Sequence, residues 1–378
     1  MGLPDRLKKY REIERLRGRA VVTYVTSNRR DTSGQMGVGG QMGQDALPEI
    51  LEQILILPKG TDAADLLVVS NGGDPTVAWR IMSLLRERVK TVGVLIPQSA
   101  FSAATLLALG ADEIVMHPCG NLGPVDPQIT APRPGSKETI QFGSEELAEF
   151  LRFVRDDVGL TDQEHLKSAF ELFCKESGAV PIGIAARASQ LSSSMGEKLL
   201  RMHMKGAQGQ KAKVIAESLK KKFFTHGYPV GRKEAKELGL KVIEPKEELE
   251  RLIWEVWLDL EAEMKCRHPF SAMDEVAKSA VGPQLFAPIP QVTIPSGLPP
   301  DLMQQVVQQV QAVLQQNLIV NLPPVEYQLR HAIVESARRA SAFVTEGKLF
   351  ARREPDLRIS LNSVVLSQDW RMQELPKV

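Results

Sequence analysis

Apolar positions between residues 20 and 116 fall into short runs that alternate with amphipathic stretches. The short runs are typical of buried parallel strands, and the amphipathic stretches have helical periodicity. The predicted strands cover 20–26, 65–70, 91–96 and 113–116, and the predicted helices cover 45–57, 75–88 and 102–110. Alternation at this rate predicts βαβ crossovers and an α/β fold with a parallel sheet covered on both faces.

The pattern on either side of this region divides the chain further. An exposed helix is predicted over 1–18, and the main domain over 19–266, including helices at 183–205, 209–222 and 245–265. Seven prolines between 267 and 300 indicate a linker or an extended arm. A small α+β extension follows over 301–378. Its predicted elements are helices at 301–317 and 325–345 and an alternating strand at 357–366.

Composition narrows the class of protein. Lysine and arginine total 47 against 46 aspartate and glutamate, so a nucleic-acid partner is not indicated. Cys119, Cys174 and Cys266 lack paired or metal-binding spacing, which favours a reducing compartment and no metal site. There is neither a secretory signal nor an apolar run of the ~18 residues that would span a bilayer. A cytoplasmic protein is expected.

Residues 27–44 are rich in glycine, glutamine and methionine, and we expect a mobile loop there. The glycines between Gly37 and Gly43 superficially resemble a dinucleotide-binding loop. No acidic residue ends a following strand at the right distance, so a flexible surface loop is the better interpretation and no cofactor is expected.

Two turns carry candidate chemistry. Ser70-Asn71-Gly72-Gly73 ends a predicted buried strand, and adjacent glycines allow backbone N–H groups to face a cleft. Ser102 begins an apolar helix, where amides and the helix dipole favour a developing oxyanion. Each turn also has an ordinary interpretation: a plain strand-to-helix turn for the first, and an N-cap serine for the second.

The order of these segments resembles the superfamily of signal peptide peptidase A and Clp proteases, and most closely its serine dehydrogenase proteinase branch. The strings that carry the resemblance are SNGG at 70–73, SAATLLALGADEI at 102–114, GPVDPQ at 123–128, THGYP at 225–229 and EAKELGL at 234–240. The resemblance covers about residues 18–265. It implies a ClpP/crotonase-like core and a serine peptidase that hydrolyses peptide bonds through an acyl-enzyme on Ser102. The amides of Gly73 and Ala103 would then form the oxyanion hole.

The catalytic base can be assigned in more than one way. In Clp proteases a histidine follows the next strand, whereas this chain has Asp126 there. The position of the family's acidic residue holds His226 instead. One hypothesis exchanges the two roles, so that His226 is the base and Asp126 orients it. His117, or a Ser–Lys dyad with Lys137, is the alternative.

Two other functions stay open at this point. A crotonase-type acyl-CoA enzyme would keep the Gly-Gly turn, although it would use carboxylates where this chain has Ser102. A non-catalytic scaffold would keep the fold without a base. The resemblance also implies a peptide or protein substrate and a homo-oligomer, to which the 301–317 helix could contribute contacts. Many relatives in this branch carry an N-terminal membrane helix that is not seen here, so membrane association stays possible.

Overall fold

A computed structural model describes residues 2–32, 36–221, 227–289 and 299–376, and residues 223, 225, 293 and 297 singly. The helices are α1 Leu3–Arg17, α2 Leu47–Leu55, α3 Pro75–Arg88, α4 Ala103–Leu109, α5 Ser144–Arg152, α6 Gln163–Ser177, α7 Ala179–Arg201, α8 Gly206–Lys221, α9 Arg232–Glu237, α10 Glu247–Glu263, α11 Ala272–Lys278 and α12 Pro300–Leu318. The strands are β1 Ala20–Thr26, β2 Ala63–Val69, β3 Thr91–Ile96, β4 Ser99–Ala100, β5 Glu113–Met116, β6 Asn121–Leu122, β7 Ile129–Pro132, β8 Thr139–Phe142, β9 Val242–Ile243, β10 Val320–Asn321, β11 Val325–Ser336, β12 Ala340–Arg353 and β13 Ile359–Gln373.

The central sheet runs in the order β10-β12-β11-β1-β2-β3-β5-β9, with β13 paired to β12. The pairs from β1 to β9 are parallel, and those among β10 to β13 and between β1 and β11 are antiparallel. The predicted α/β class with a parallel core and a C-terminal α+β part is therefore confirmed.

Successive strand residues point to opposite faces of the sheet, and each face has its own core. Val22 and Tyr24 of β1 pack with α2, α3 and α4 on one face. Val21 and Val25 pack with α1 and α10 on the other face. Helix α4, which begins after Ser102, therefore lies on the first face, opposite α1 and α10.

The prediction of a helix over 325–345 is wrong, because β11 and the start of β12 occupy this stretch. β11 lies between β1 and β12, and its second half is buried without interruption. A strand covered on both faces loses the alternation of apolar and polar residues, so its periodicity no longer separates it from a buried helix. Pairing with β1 decides the outcome.

The proline-rich stretch predicted as a linker or arm contains α11 and contributes to a third core. Phe270, Val276 and Leu285 are buried there against Leu329 and Leu349 of the C-terminal strands. Residues 267–289 thus pack on the C-terminal part of the sheet.

The mobile loop predicted at 27–44 is also corrected where the structure describes it. Val38 and Met42 are buried, and the Gly40 amide donates to Ser27 O at 2.7 Å. Residues 36–44 are held against the sheet, because their few apolar side chains enter the core.

Candidate active site

The Gly-Gly turn after β2 is held by buried hydroxyl groups. Ser70 Oγ accepts hydrogen bonds from Thr26 Oγ1 at 2.7 Å and from the Gly72 amide at 3.0 Å. Gly72 has φ +102° and Gly73 has φ +148°, conformations that residues with a Cβ rarely adopt. The turn therefore needs glycine at both positions, and the Ser70 hydroxyl fixes its orientation.

Ser102 lies directly beside this turn. The chain before it is hydrogen-bonded to the end of β2: Ser70 N donates to Ser99 O and Phe101 N donates to Ser70 O, both at 2.9 Å. An added Cβ on Gly72 would come within 2.7 Å of Ser102 Cβ and 3.0 Å of Ala103 N. The two turns, about 30 residues apart in the chain, are thus in van der Waals contact.

Ser102 has a strained backbone, with φ 51° and ψ −116°. Such values in a residue with a Cβ cost about 1–3 kcal/mol and occur often at functional sites. Ser102 occupies the N-cap position of α4, but its side chain makes no capping hydrogen bond. Within the described ranges, no group donates to or accepts from its hydroxyl.

The Gly73 and Ala103 amides are not engaged by the sheet. Met42 N donates to Gly72 O at 2.8 Å, and Asp74 N donates to Met42 O at 2.9 Å. Alternate residues of a strand direct their N–H groups to opposite sides, so the intervening Gly73 N–H points away from Met42. Neither the Gly73 nor the Ala103 amide donates to another residue in the described part of the chain.

A cleft of about 760 Å³ opens over these groups, and Gly72, Gly73 and Ser102 form part of its wall. Its charged lining residues within the described ranges are Arg29 and Asp74. Burial acts to raise the pKa of Asp74, but hydrogen bonds from Thr76 and Gln44 lower it, so the carboxylate stays charged. Burial lowers the pKa of Arg29, which donates from Nε to His268 O at 2.8 Å.

Asp126 lies beside the cleft, between Val125 and Pro127, which line it. It is half-buried, and its Oδ2 accepts from Gln128 Nε2 at 3.0 Å. His226 lies outside the described residues.

The described chain on both sides of position 226 is anchored to the segment that leads to Asp126. Leu122 and Val230 exchange two backbone hydrogen bonds, at 3.0 and 2.8 Å, and Val125 N donates to Leu219 O at 3.1 Å. Leu219 and Val230, on either side of position 226, are therefore neighbours of the segment 122–125 in the fold.

The alternative bases lie elsewhere. His117 stacks on Trp254 of α10, with ring centroids 4.7 Å apart, and its Nδ1 accepts from Cys119 N at 3.0 Å. Burial lowers the pKa of His117. Lys137 is exposed in the turn between β7 and β8. Neither lines the cleft, and the described lining residues include no histidine or lysine.

The sequence did not single out Thr105, which joins α4 to the Gly-Pro loop. Its buried Oγ1 lies 2.6 Å from Ala100 O and 2.9 Å from Gly123 O, and accepts from Gly123 N at 3.0 Å. A polar residue in an otherwise apolar helix was the available signal, since a buried hydroxyl needs partners.

Comparisons with known proteins agree with the resemblance. Residues 2–141 match the model of the family described as ClpP-like SDH-type serine proteinase. Two uncharacterized proteins of Methanocaldococcus jannaschii, MJ0137 and MJ1495, are each 29% identical to this chain; the matches cover 63% of it and 73% and 71% of those proteins.

Two solved structures are similar at low scores. The 1510-N membrane-bound stomatin-specific protease has a TM-score of 0.36 and 16% identity, over 56% of this chain and 80% of that one. ClpP1 from Listeria monocytogenes has a TM-score of 0.32 and 13% identity, over 60% and 94%. Across the described residues, no helix is both long and apolar enough to cross a membrane.

Proposed function

We propose that this chain, whose residues 2–141 match the family described as ClpP-like SDH-type serine proteinase, hydrolyses peptide bonds with Ser102 as its nucleophile. The observation that carries the proposal is the placement of Ser102. Ser102 makes no side-chain cap, lines a cleft and lies beside the Gly72-Gly73 turn, and the Gly73 and Ala103 amides donate to no described residue.

In this mechanism Ser102 Oγ attacks the carbonyl carbon of the scissile peptide bond, and its proton passes to a base. The carbonyl oxygen becomes an oxyanion that the Gly73 and Ala103 amides stabilise. The base then protonates the leaving amine, which leaves an ester on Ser102. Water, deprotonated by the same base, hydrolyses the ester and restores the hydroxyl.

We assign the base to His226 and its orientation to Asp126. Support comes from the described neighbours: the segments on both sides of position 226 are bonded to residues 122–125, next to Asp126. Rival bases have less support, because His117 is stacked on Trp254 of α10 and the exposed Lys137 does not line the cleft.

We also propose that the substrate is a peptide or protein, and that the chain forms a homo-oligomer in the cytoplasm. The location rests on the sparse, unpaired spacing of the three cysteines in the sequence, which favours a reducing compartment.

Labelling with a fluorophosphonate probe and cleavage of a mixed peptide library test the nucleophile. Wild type and Ser99→Ala should be labelled and active, because the Ser99 side chain lies outside the cleft and contacts Gln98. Ser102→Ala should lose both signals while keeping its circular dichroism spectrum. Activity that survives in Ser102→Ala, or an unlabelled and inactive wild type, would contradict the proposal.

The base is tested separately. His226→Ala should lower kcat by about 10²-fold or more, as is typical for loss of a general base, and His117→Ala should retain it. Asp126→Asn should have an intermediate effect. If His117→Ala is the inactive variant, the assignment of the base is wrong while that of the nucleophile stands.

A further inference from the structure

His331 is a buried histidine of β11 that the proposed mechanism does not use. Its side chain is almost fully covered, with 4% of the residue exposed. The register of β11 with β12 shifts between Arg330 and Ala332, so His331 is an extra residue that β12 does not pair. A bulge of this kind re-aims a side chain and is common next to active sites.

The bulge turns the His331 side chain toward the face of the sheet on which α4 lies. Ala332 packs in the core of that face, and successive strand residues ordinarily point to opposite faces. The His331 ring lies on this face as well, because it contacts Phe343, which packs against the same core, with ring centroids 5.6 Å apart. Its Nε2 also lies 2.8 Å from Thr345 Oγ1 of β12.

The backbone of the bulge touches the glycine-rich stretch beside the cleft. Ser27 N donates to His331 O at 2.7 Å, and Gly40 N donates to Ser27 O at 2.7 Å. An added Cβ on Gly40 would lie 1.8 Å from His331 O, so a side chain does not fit there. Gly39 and Gly40 both line the cleft. One wall of the cleft therefore rests on the bulge of β11.

The His331 ring also holds this stretch. Burial lowers the pKa of His331, whereas hydrogen bonds to the backbone of Gly39 and Val38, and the charge of Asp45, raise it. A hydrogen bond that favours the charged imidazole has an acceptor as its partner, so the ring faces carbonyl oxygens of residues 38 and 39. The ring thus bridges Thr345 of β12 and the wall of the cleft.

The same stretch continues into the turn that holds one proposed oxyanion donor. Met42 N donates to Gly72 O at 2.8 Å, and Asp74 N donates to Met42 O at 2.9 Å. Met42 and Gly73 lie opposite each other in a parallel bridge. The direction of the Gly73 amide therefore depends on where residues 38–42 are held.

We propose that His331 is a positioning residue for the peptidase site: its ring ties residues 38 and 39 to Thr345, and the stretch so held keeps the Gly73 amide directed at the oxyanion. The C-terminal strands β11 and β12 then support the site from below the cleft wall. The inference rests on the proposed function, since the Gly73 amide has a catalytic role only if Ser102 is the nucleophile.

A substitution that keeps the ring tests the role of its nitrogens. His331→Phe retains the packing against Phe343 but removes both nitrogens. We expect kcat for peptide cleavage to fall about tenfold, the effect that one lost buried hydrogen bond typically has. His203→Phe is the matched control, because the His203 ring also bonds a neighbour, Leu109 O at 3.0 Å, but does not line the cleft. It should retain kcat.

A double-mutant cycle with Gly73→Ala separates positioning from general destabilisation. An added Cβ on Gly73 would lie 2.5 Å from Met42 O and displaces the turn, so little remains for His331 to position. In this background His331→Phe should lower kcat by no more than about twofold, since residues that act through one group are not additive. In a Thr105→Val background it should keep its full effect.

Hydrogen exchange tests the contact without relying on activity. In His331→Phe, the backbone amides of residues 38–43 should exchange about tenfold faster than in wild type, measured by mass spectrometry. His203→Phe should leave them unchanged. Thr345→Val, which keeps the ring but removes its hydroxyl partner, should show the same pattern with smaller changes, and it carries the test if His331→Phe does not fold.

An active wild type whose kcat survives His331→Phe overturns this inference and leaves the proposed function standing. Unchanged exchange over 38–43, or an undiminished loss of kcat in the Gly73→Ala background, overturns it as well. A wild type that neither cleaves peptides nor reacts with the fluorophosphonate probe overturns the proposed function, and this inference with it.

Discussion

The backbone of Ser102 and the two glycines beside it set the geometry of the candidate site. Ser102 is held at φ 51°, and Gly72 must lack a side chain because a Cβ would lie 2.7 Å from both Ser102 Cβ and Phe101 O. The strain at Ser102 is maintained by hydrogen bonds on either side, from Phe101 N to Ser70 O and from Leu106 N to Ser102 O. The nucleophile is thus positioned by backbone contacts.

Gly73→Ala tests the oxyanion hole. The new Cβ would lie 2.5 Å from Met42 O, at a φ of +148°, so the turn must move and take the Gly73 amide with it. We expect kcat for peptide cleavage to fall by about 10²–10³-fold, as when one oxyanion donor is lost.

Gly37→Ala is the matched control, because Gly37 also lines the cleft and an added Cβ there would have nothing within 4 Å. It should retain activity close to wild type. Equal losses in both variants would mean that Gly73 has no special role.

The elements that form the site are joined by a few buried hydroxyl groups. Ser70 links the end of β1, through Thr26, to the turn after β2. Thr105 links the first turn of α4 to the loop after β6. Because these bonds cross between elements, they fix the relative positions of the Ser102 helix and of the loop that carries Asp126.

Thr105→Val keeps the volume of the side chain but removes its hydroxyl, so the Gly123 N–H and two carbonyls lose a buried partner. The expected loss is about 1–3 kcal/mol in the free energy of unfolding, together with reduced activity because the Gly-Pro loop loosens. Urea denaturation and peptide cleavage measure the two effects.

Thr61→Val provides the comparison, because the Thr61 hydroxyl donates to Pro58 O at an exposed site. Its unfolding free energy should change by less than about 0.5 kcal/mol. A Thr105→Val variant as stable and active as Thr61→Val would remove Thr105 from the positioning of the site.

At the scale of the molecule, a buried ionic cluster joins α1 to α10 and β11, which are far apart in the sequence. Arg6 of α1 and Glu335 of β11 are both fully buried, 329 residues apart in sequence, with Nε 2.6 Å from Oε1. Arg6 also contacts Asp259 at 2.9 Å and Glu263 at 2.6 Å, both on α10. Burial acts to lower the pKa of Arg6, but the Glu335 hydrogen bond and charge raise it, so the guanidinium stays charged.

Arg6→Met is therefore expected to be strongly destabilising, because it leaves several carboxylates without their cation. Removing one partner of a buried pair typically costs about 3–5 kcal/mol, measured here by guanidinium denaturation. Arg11→Met, on the exposed side of the same helix, should change stability by less than about 0.5 kcal/mol. Similar stabilities for the two variants would show that the cluster does not hold α1 in place.

Local sequence was sufficient for the core elements and for the two turns of the site. The spacing of apolar residues, which is a local property of the chain, was enough to predict the strands β1, β2, β3 and β5 and the helices between them. Paired glycines and a serine at a helix start likewise signal their turns within a few residues. The family strings added the candidate roles of Ser102, Gly73 and Ala103.

Tertiary structure decided what depends on contacts between distant residues. β11 is a strand because β1 has an open edge to pair with, and residues 36–44 are ordered because Met42 pairs with Gly72 and Asp74. His117 lies away from the cleft because its side chain leaves the sheet toward Trp254. Packing between distant parts of the chain decides which face of the sheet a strand-end residue points to. It also decides which sheet edge stays open for a later strand. The local periodicity of apolar residues encodes neither.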